Sequence, residues 1–194
     1  MTQGKIEAAA SASVGKAPSG VVPIRERGVF QFVVRGADGE IKQTMNSENA
    51  LTVEGANRIL DGWSTLASAE TPFIGLISNT GFSALAEGNT MAGVHNEGDS
   101  GTNGWAEIAT AGSYTYARLA WGPAVAASGE MAGTTSSFLF TGLSGTKVVK
   151  GAFLCNVLTT STGKLIATSQ FTGSGTITLG ATDSLTIAFT LSLT

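Results

Sequence analysis

Apolar and polar residues alternate most regularly at the C-terminal end of the chain. Large apolar residues occupy every second position there, namely Leu185, Ile187, Phe189, Leu191 and Leu193. Successive side chains of a β-strand point to opposite faces of the sheet, so this pattern predicts a strand with one buried face. The segment contains neither Lys nor Pro, which usually protect exposed sheet edges. We therefore expect it to be central in a sheet or paired with a strand of another subunit.

Strand-forming segments recur along the chain from residue 28 onward, separated by turns rich in Gly, Asn and Ser. Residues 28–35 form the first predicted strand, residues 36–39 a turn, and residues 40–45 a second strand that pairs back on the first. Further strands are predicted at residues 73–78, 105–108, 114–121, 137–140, 147–157, 165–171, 176–179 and 185–193. Residues 159–163 are expected to form a hairpin-type connection.

One helix is predicted to begin after Thr52, whose side chain can cap its N-terminus. Apolar residues at helical spacing follow and form a stripe of Val53, Ala56, Ile59, Leu60 and Trp63. Gly55 and Gly62 lower the helix propensity of the segment. We therefore expect a short helix that depends on packing against a sheet.

Many short strands with Gly-rich turns, and no alternation of strands with helices, predict an all-β fold. A jelly-roll-like β-sandwich is favoured over an immunoglobulin-like one, because the Cys and Trp framework of the latter is missing. We expect residues 1–27 to be a flexible N-terminal arm and residues 28–194 to be a single β-sandwich domain. Residues 79–104 are dense in Gly and Asn, too polar for a core, and are predicted to be a functional or contact loop.

Composition limits the classes of partner. The chain has 194 residues, of which only 13% are charged, and its net charge is −3. This charge and the scattered Lys and Arg residues argue against nucleic-acid binding, and no apolar stretch is long enough to span a membrane. No signal peptide is recognised. The single Cys155 excludes an internal disulfide and is typical of a protein made in a reducing cytoplasm.

Catalytic motifs are not found. His95 is the only histidine, and Cys155 lies in an apolar strand where a small thiol usually packs in the core. No Gly-x-Ser-x-Gly elbow surrounds a serine, and the pair Gly163-Lys164 lacks the upstream glycine of a phosphate-binding loop. We therefore predict no catalytic residue, no cofactor-binding residue and no enzymatic activity.

The Gly- and Asn-rich loop contains residue types that bind cations. His95, Glu97 and Asp99 alternate, so in an extended loop they would share a face, and Asn89 and Asn103 offer further ligand atoms. The spacing differs from that of a calcium-binding EF-hand loop. Turns alone require many Gly, Asn and Asp residues, and we therefore predict no metal site and no cofactor.

Aromatic residues could serve a different function, as a platform on which sugar rings stack. The chain has three tryptophans and two tyrosines. Such residues more often fill the core of a sandwich or a subunit interface, because they bury large apolar areas. We expect the core or an interface for these residues.

Six segments in succession resemble a known family: Gly28–Phe32, Phe73–Ile77, Tyr116–Arg118 leading to Trp121, Val149–Leu154, Gly163–Ala167 and Asp183–Ile187. This succession resembles small structural proteins of tailed bacteriophages, of the kind found as capsid cement or decoration proteins. The resemblance implies a jelly-roll subunit, often dimeric or trimeric, that lies on the outside of the capsid shell and stabilises contacts between major capsid subunits.

From this resemblance we expect a virion structural protein that is made in the host cytoplasm and located on the capsid surface. Its expected partners are the major capsid protein and further copies of itself, as a dimer or trimer. We also expect residues 1–27 to become ordered on a neighbouring subunit. A phage tail, neck or fibre component is the first alternative, and a carbohydrate-binding β-sandwich module that uses the 79–104 loop is the second.

Overall fold

Two antiparallel sheets packed face to face make up the fold. The structure is a computed structural model, and it describes residues 26–48, 50–57, 71–99, 101–110, 114–123, 128, 130–135, 137–159, 162–171 and 175–193. Its strands are β1 Glu26–Arg35, β2 Ile41–Glu48, β3 Ala50–Leu51, β4 Phe73–Ser78, β5 Leu119–Ala120, β6 Gly122–Pro123, β7 Glu130–Thr134, β8 Phe138–Leu139, β9 Thr146–Cys155, β10 Leu165–Gln170, β11 Ile177–Gly180 and β12 Ser184–Leu193.

Sheet A has the strand order β2-β1-β12-β7-β6, with β8 also paired to β12, and sheet B has the order β3-β10-β9-β4-β5, with β11 also paired to β9. In sheet A the first strand pairs with the last, and in sheet B β3 pairs with β10, so early strands pair with late ones. Nested pairing of this kind is typical of jelly rolls. The prediction of an all-β, jelly-roll-like sandwich is confirmed.

Strand β12 lies in the middle of sheet A, between β1 and β7. Its side chains Leu185, Ile187 and Phe189 are fully buried against sheet B, as the alternation predicted. Burial of one such side chain is worth about 1.5–3 kcal/mol. Of the two positions expected for this strand, the central one is therefore correct.

The main core lies between the two sheets. It contains aromatic pairs, of which Phe30 with Phe189 and Phe32 with Phe171 have ring centroids 4.5 and 4.6 Å apart. On the side of β2, the Ser47 hydroxyl donates a hydrogen bond to the Gln170 carbonyl of β10. This contact joins the edge strand β2 of sheet A to β10 of sheet B and closes the sandwich there.

Some strand predictions are wrong. Residues 105–108 and most of 114–121 lie outside the sheets, and only Leu119–Ala120 forms a strand there. Their backbone hydrogen bonds go to several different partners, so no continuous ladder forms; Glu107 N–H, for example, donates to His95 and Ile108 N–H to Leu76. Strand β7 was missed because Glu, Ala and Gly have low β propensity.

The loop at 79–104 was expected to be too polar for a core, and this is wrong. Together with Trp105 it covers the outer side of sheet B and forms a second apolar cluster there. Met91 and Trp105 are 0% and 1% exposed. The polar residues Asn89 and Asn103 hold the loop together: Asn89 Oδ1 accepts hydrogen bonds from Ala86 N–H and Trp105 Nε1–H. Sheet B is therefore covered on both faces.

The predicted helix is present at residues 53–57, and the Thr52 hydroxyl accepts the Gly55 N–H at 3.0 Å as its cap. Gly55 lies directly on β10, where a Cβ atom would be 1.9 Å from the Ile166 carbonyl oxygen. The expected burial of Val53 is wrong, since this side chain is 57% exposed. The helix approaches the sheet with its glycine, and Ala56 is half-buried. Ile59, Leu60 and Trp63 of the predicted stripe lie outside the described residues.

Strand β1 starts at Glu26, and the division into an arm of residues 1–27 and a single domain of residues 28–194 stays a prediction. Residues 1–25, which make up nearly all of the predicted arm, lie outside the described residues. The expectation that this arm orders on a neighbour stays a prediction.

Candidate functional site

A cleft of about 540 Å³ is lined by residues 94–96, 99, 107–110, 116–118 and 158–159. Its floor holds an ion pair between Glu107 and Arg118, whose side chains are each only 6% exposed. The guanidinium contacts both carboxylate oxygens, with Arg118 Nε 2.9 Å from Oε1 and Nη2 2.7 Å from Oε2 of Glu107. Two parallel hydrogen bonds of this kind fix both side chains.

Tyr116 forms a hydrogen-bond network with the Glu107–Arg118 ion pair. Its hydroxyl donates to Glu107 Oε1 at 2.9 Å and accepts the Leu76 N–H of β4 at 2.7 Å. Burial, together with the negative charge of Glu107, raises the pKa of the Tyr116 phenol well above its ordinary value. The phenol therefore stays protonated, as its role as a donor to Glu107 requires.

Arg118 also connects the cleft to sheet B. Its Nη1 donates to the Val157 carbonyl at 2.9 Å, and its guanidinium lies 5.4 Å from the ring centroid of Phe153. Burial alone would lower the pKa of Arg118, but the hydrogen bonds and charge of Glu107 outweigh it, and the net shift is upward. The network thus links β4, Glu107, residues 116–118 and the segment that follows β9, and its described hydrogen bonds are internal to the protein.

A second carboxylate, Glu97, points away from the cleft. It accepts hydrogen bonds from the Ser78 hydroxyl and the Lys147 ammonium. Burial alone would lower the pKa of Lys147, but its hydrogen bonds to Glu97 and Tyr114 raise it. Glu97 therefore attaches the loop to β4 and β9.

The five residues considered for a cation do not converge. Asn89 and Asn103 bond within the loop and Glu97 bonds to Lys147, while only His95 and Asp99 line the cleft. Among the residues that the structure describes, no group of three or more His, Cys, Asp or Glu side chains could hold a metal ion.

Cys155 is fully buried, and its thiol lies 3.2 Å from the Val157 carbonyl. Burial raises the pKa of this thiol, which disfavours the reactive thiolate. The expectation that Cys155 packs in the core is confirmed. Lys164 of the Gly163-Lys164 pair is exposed and lies 3.6 Å from Glu54.

The aromatic residues are mostly internal. Trp105, Trp121 and Tyr114 are 1%, 3% and 7% exposed, which confirms the expected core packing for these three. Tyr116 is half-buried in the polar network, and Trp63 lies outside the described residues. A sugar-stacking platform would need an exposed ring face, which these buried rings do not offer.

The outer side of sheet A differs from that of sheet B because its central strands are accessible. We call the outward side chains of β1, β12 and β7 the open face. Three rows of paired residues cross it in register: Arg27–Ser192–Glu130, Val29–Thr190–Ala132 and Gln31–Ala188–Thr134. The two rows away from the edge are uncharged, so the open face is neutral apart from the Arg27–Glu130 row and the ends of its strands.

Small residues form a shallow recess on the open face. A groove of about 420 Å³ runs along β7 and neighbouring strands, and its lining includes Gly122, Ala132, Gly133, Ala188 and Thr190. On the inner side of β7, packing against Trp121 leaves room only for a glycine at position 133, since a Cβ atom there would be 2.7 Å from the Trp121 indole nitrogen. The groove is therefore a result of the small side chains on both faces of β7.

Comparison with known proteins gives no match: no family model, no curated protein and no solved structure matches this chain. The resemblance to phage capsid proteins therefore stays a prediction. None of the described helices is long and apolar enough to cross a membrane.

Sequence reasoning missed the network of Glu107, Tyr116 and Arg118. A signal was available, because Glu107 lies between Ala106 and Ile108 in an apolar run. Tyr116 and Arg118 are two residues apart and point the same way in an extended segment. A charged residue at a buried position needs a partner of opposite charge, but the sequence does not reveal which segments meet.

Proposed function

We propose that this chain is a virion structural protein that binds the outside of a capsid shell and stabilises contacts between major capsid subunits. It works by covering and connecting other protein surfaces, without catalysis. The observation that carries the proposal is the open face of sheet A, an accessible and largely neutral surface with small side chains along β12 and β7. Extended surfaces of this kind suit protein contacts, because few charges must be removed from water.

The polar groups near the cleft support the same proposal. Glu107, Tyr116 and Arg118 bond to one another, and Glu97 bonds to Ser78 and Lys147. Buried groups committed in this way hold loops rigidly on sheet B. A rigid scaffold presents its surfaces to a partner with little loss of conformational entropy on binding.

A tail, neck or fibre component remains the first alternative, since it would use the same kind of surface in fewer copies. The second alternative, a carbohydrate-binding module, is less favoured because Trp105, Trp121 and Tyr114 are buried.

The proposal is tested by removing this chain from phage particles and then adding the purified chain back. Phage particles assembled without this chain should release their DNA at a lower temperature than complete particles. Adding the purified chain should restore the release temperature, and the chain should sediment with the particles. Failure to sediment with the particles, or a release temperature that its removal leaves unchanged, would contradict the proposed function.

A variant with Ala188→Lys places a charge in the middle of the open face and is expected to restore the release temperature less well. Its matched control is Thr178→Lys, which adds the same charge at an exposed position of β11 in sheet B. Equal restoration by the two variants would show that the open face is not used.

A further inference from the structure

The open face of sheet A is complementary to itself. Strand β12 runs along its middle, and β1 and β7 flank it in the same register. A two-fold axis close to the direction of β12 would place β1 of one copy over β7 of the other. Such a rotation keeps each row opposite the same row, so the residues of β1 and β7 in one row meet across the interface.

The outermost row matches in charge. Arg27 lies on β1 and Glu130 on β7, both paired with Ser192 of β12. The two-fold rotation brings Arg27 of each copy to Glu130 of the other copy, so the attraction occurs twice. Arg27 also pairs with Glu48 of its own chain, but its side chain is 61% exposed and remains accessible to a second carboxylate.

The second row matches in shape. Val29 is a branched side chain on β1, and its counterpart on β7 is Ala132, which lines the shallow groove. The rotation places Val29 over this groove. In the third row the Gln31 amide meets the Thr134 hydroxyl, and both side chains can donate and accept hydrogen bonds.

Small residues along β12 allow the two copies to approach closely. Ala188 and Thr190 of one copy face the same residues of the other across the axis. Two sheets that pack in this way are about 10 Å apart with strands about 30° from parallel. In an interface with two-fold symmetry the same patch must serve both partners, and the three rows meet this requirement.

The lengths of the strands set the size of the face. Strand residues rise about 3.3 Å and strands lie about 4.8 Å apart, so β1, β12 and β7 cover roughly 400 Å² and all strands of sheet A roughly 600 Å². Stable interfaces bury about 600–1,000 Å² from each partner. The open face alone is smaller than such an interface, so a stable dimer also needs contacts from the flanking strands of sheet A.

We propose that two copies of this chain form a dimer by stacking the open faces of sheet A around a two-fold axis along β12. This rests on the proposed function and deepens it by assigning the open face to a second copy, which leaves other surfaces of the dimer for the contact with the capsid. Its test uses the purified chain alone, so a monomer in solution would overturn the dimer without bearing on whether the chain is found in virions.

Sedimentation equilibrium of the full chain tests the dimer. The expected mass is twice the 19.6 kDa of one chain. Ala188→Lys brings two ammonium groups together at the axis and should raise the dissociation constant at least about a hundredfold. The control Thr178→Lys should leave it unchanged, and circular dichroism should confirm that both variants fold.

Charge reversal tests the orientation. Glu130→Lys places an ammonium group against Arg27 of the other copy, so that two cations repel each other at both contacts. This variant should raise the dissociation constant roughly threefold to tenfold. Arg27→Glu should do the same, and the double variant should return to within about twofold of the original value. A monomer at millimolar concentration, a trimer, a dimer that Ala188→Lys leaves intact, or a double variant without rescue would each overturn this dimer.

Discussion

Glu107 and Arg118 remove two opposite charges from water, and each then depends on the other. Loss of one partner leaves an uncompensated buried charge, which costs about 3–5 kcal/mol. We expect Glu107→Gln to lower the free energy of unfolding by about this amount, measured by urea denaturation. The double variant Glu107→Leu with Arg118→Met should recover most of the loss, because apolar residues of similar volume need no partner.

A small effect of Glu107→Gln, under about 1 kcal/mol, is what an exposed pair would give. Such a result would contradict the burial of this pair. A double variant no more stable than Glu107→Gln would show that the contact between positions 107 and 118 needs the hydrogen bonds themselves.

Asp183 gives a prediction on pH. Its carboxylate accepts hydrogen bonds from the Lys42 ammonium and the Gly180 N–H, and these lower its pKa in the folded protein. A lowered folded pKa stabilises the fold above the unfolded pKa, near 4, and this stabilisation is lost as the pH falls through the folded value. Wild type should therefore exceed Asp183→Asn in stability at neutral pH, and the difference should shrink in acid.

Urea denaturation of both proteins at neutral pH and at about pH 2 measures this difference. Lys42→Met removes one partner of Asp183 and keeps the Gly180 N–H hydrogen bond, so it should reduce the pH dependence of stability without abolishing it. A difference between wild type and Asp183→Asn that does not change with pH would contradict the assignment.

At the scale of elements, Gly55 explains how the helix reaches sheet B. Ala is favoured over Gly in a helix by about 1 kcal/mol, yet a Cβ atom here would overlap the Ile166 carbonyl of β10. We expect Gly55→Ala to destabilise the protein by about 1–3 kcal/mol in thermal or urea unfolding. Gly88→Ala is the control, because a Cβ atom there meets nothing within 4 Å.

Local patterns predicted some elements better than others. The alternation in β12 and the apolar run of β4 reflect burial on one or both faces of a sheet, so these strands could be read from sequence. The helix cap at Thr52 could be read as well. The sequence did not reveal which side of the helix is exposed, because the approach of Gly55 to β10 depends on a contact between residues that are distant in the sequence.

The 79–104 loop shows the limit for the candidate site. Its Gly and Asn content indicates turns, and these are present. The two buried side chains Asn89 and Asn103 also form hydrogen bonds inside the loop: Asn89 donates to the Asn103 carbonyl and accepts from Trp105, and Asn103 accepts the Thr90 N–H. The pairing of Glu107 with Arg118 likewise joins segments whose contact no local pattern records. The open face could not be identified before the register of β1, β12 and β7 was known.

For the whole molecule, the two sheets have different environments. Sheet B is covered by its own chain on both faces, whereas sheet A leaves its central strands accessible. We propose that this accessible face with few charges is an association surface. The low charge of the chain and the internal use of its buried ion pairs agree with a protein that assembles with others, which is the basis of the proposed function.

The most direct measurement is the amount of this chain in purified virus particles from its source, determined by quantitative mass spectrometry relative to the major capsid protein. A capsid cement protein should be present at a one-to-one ratio or a simple fraction of it. A ratio of a few per cent would place the chain in the tail or neck instead. Complete absence from the particles would contradict the proposed function.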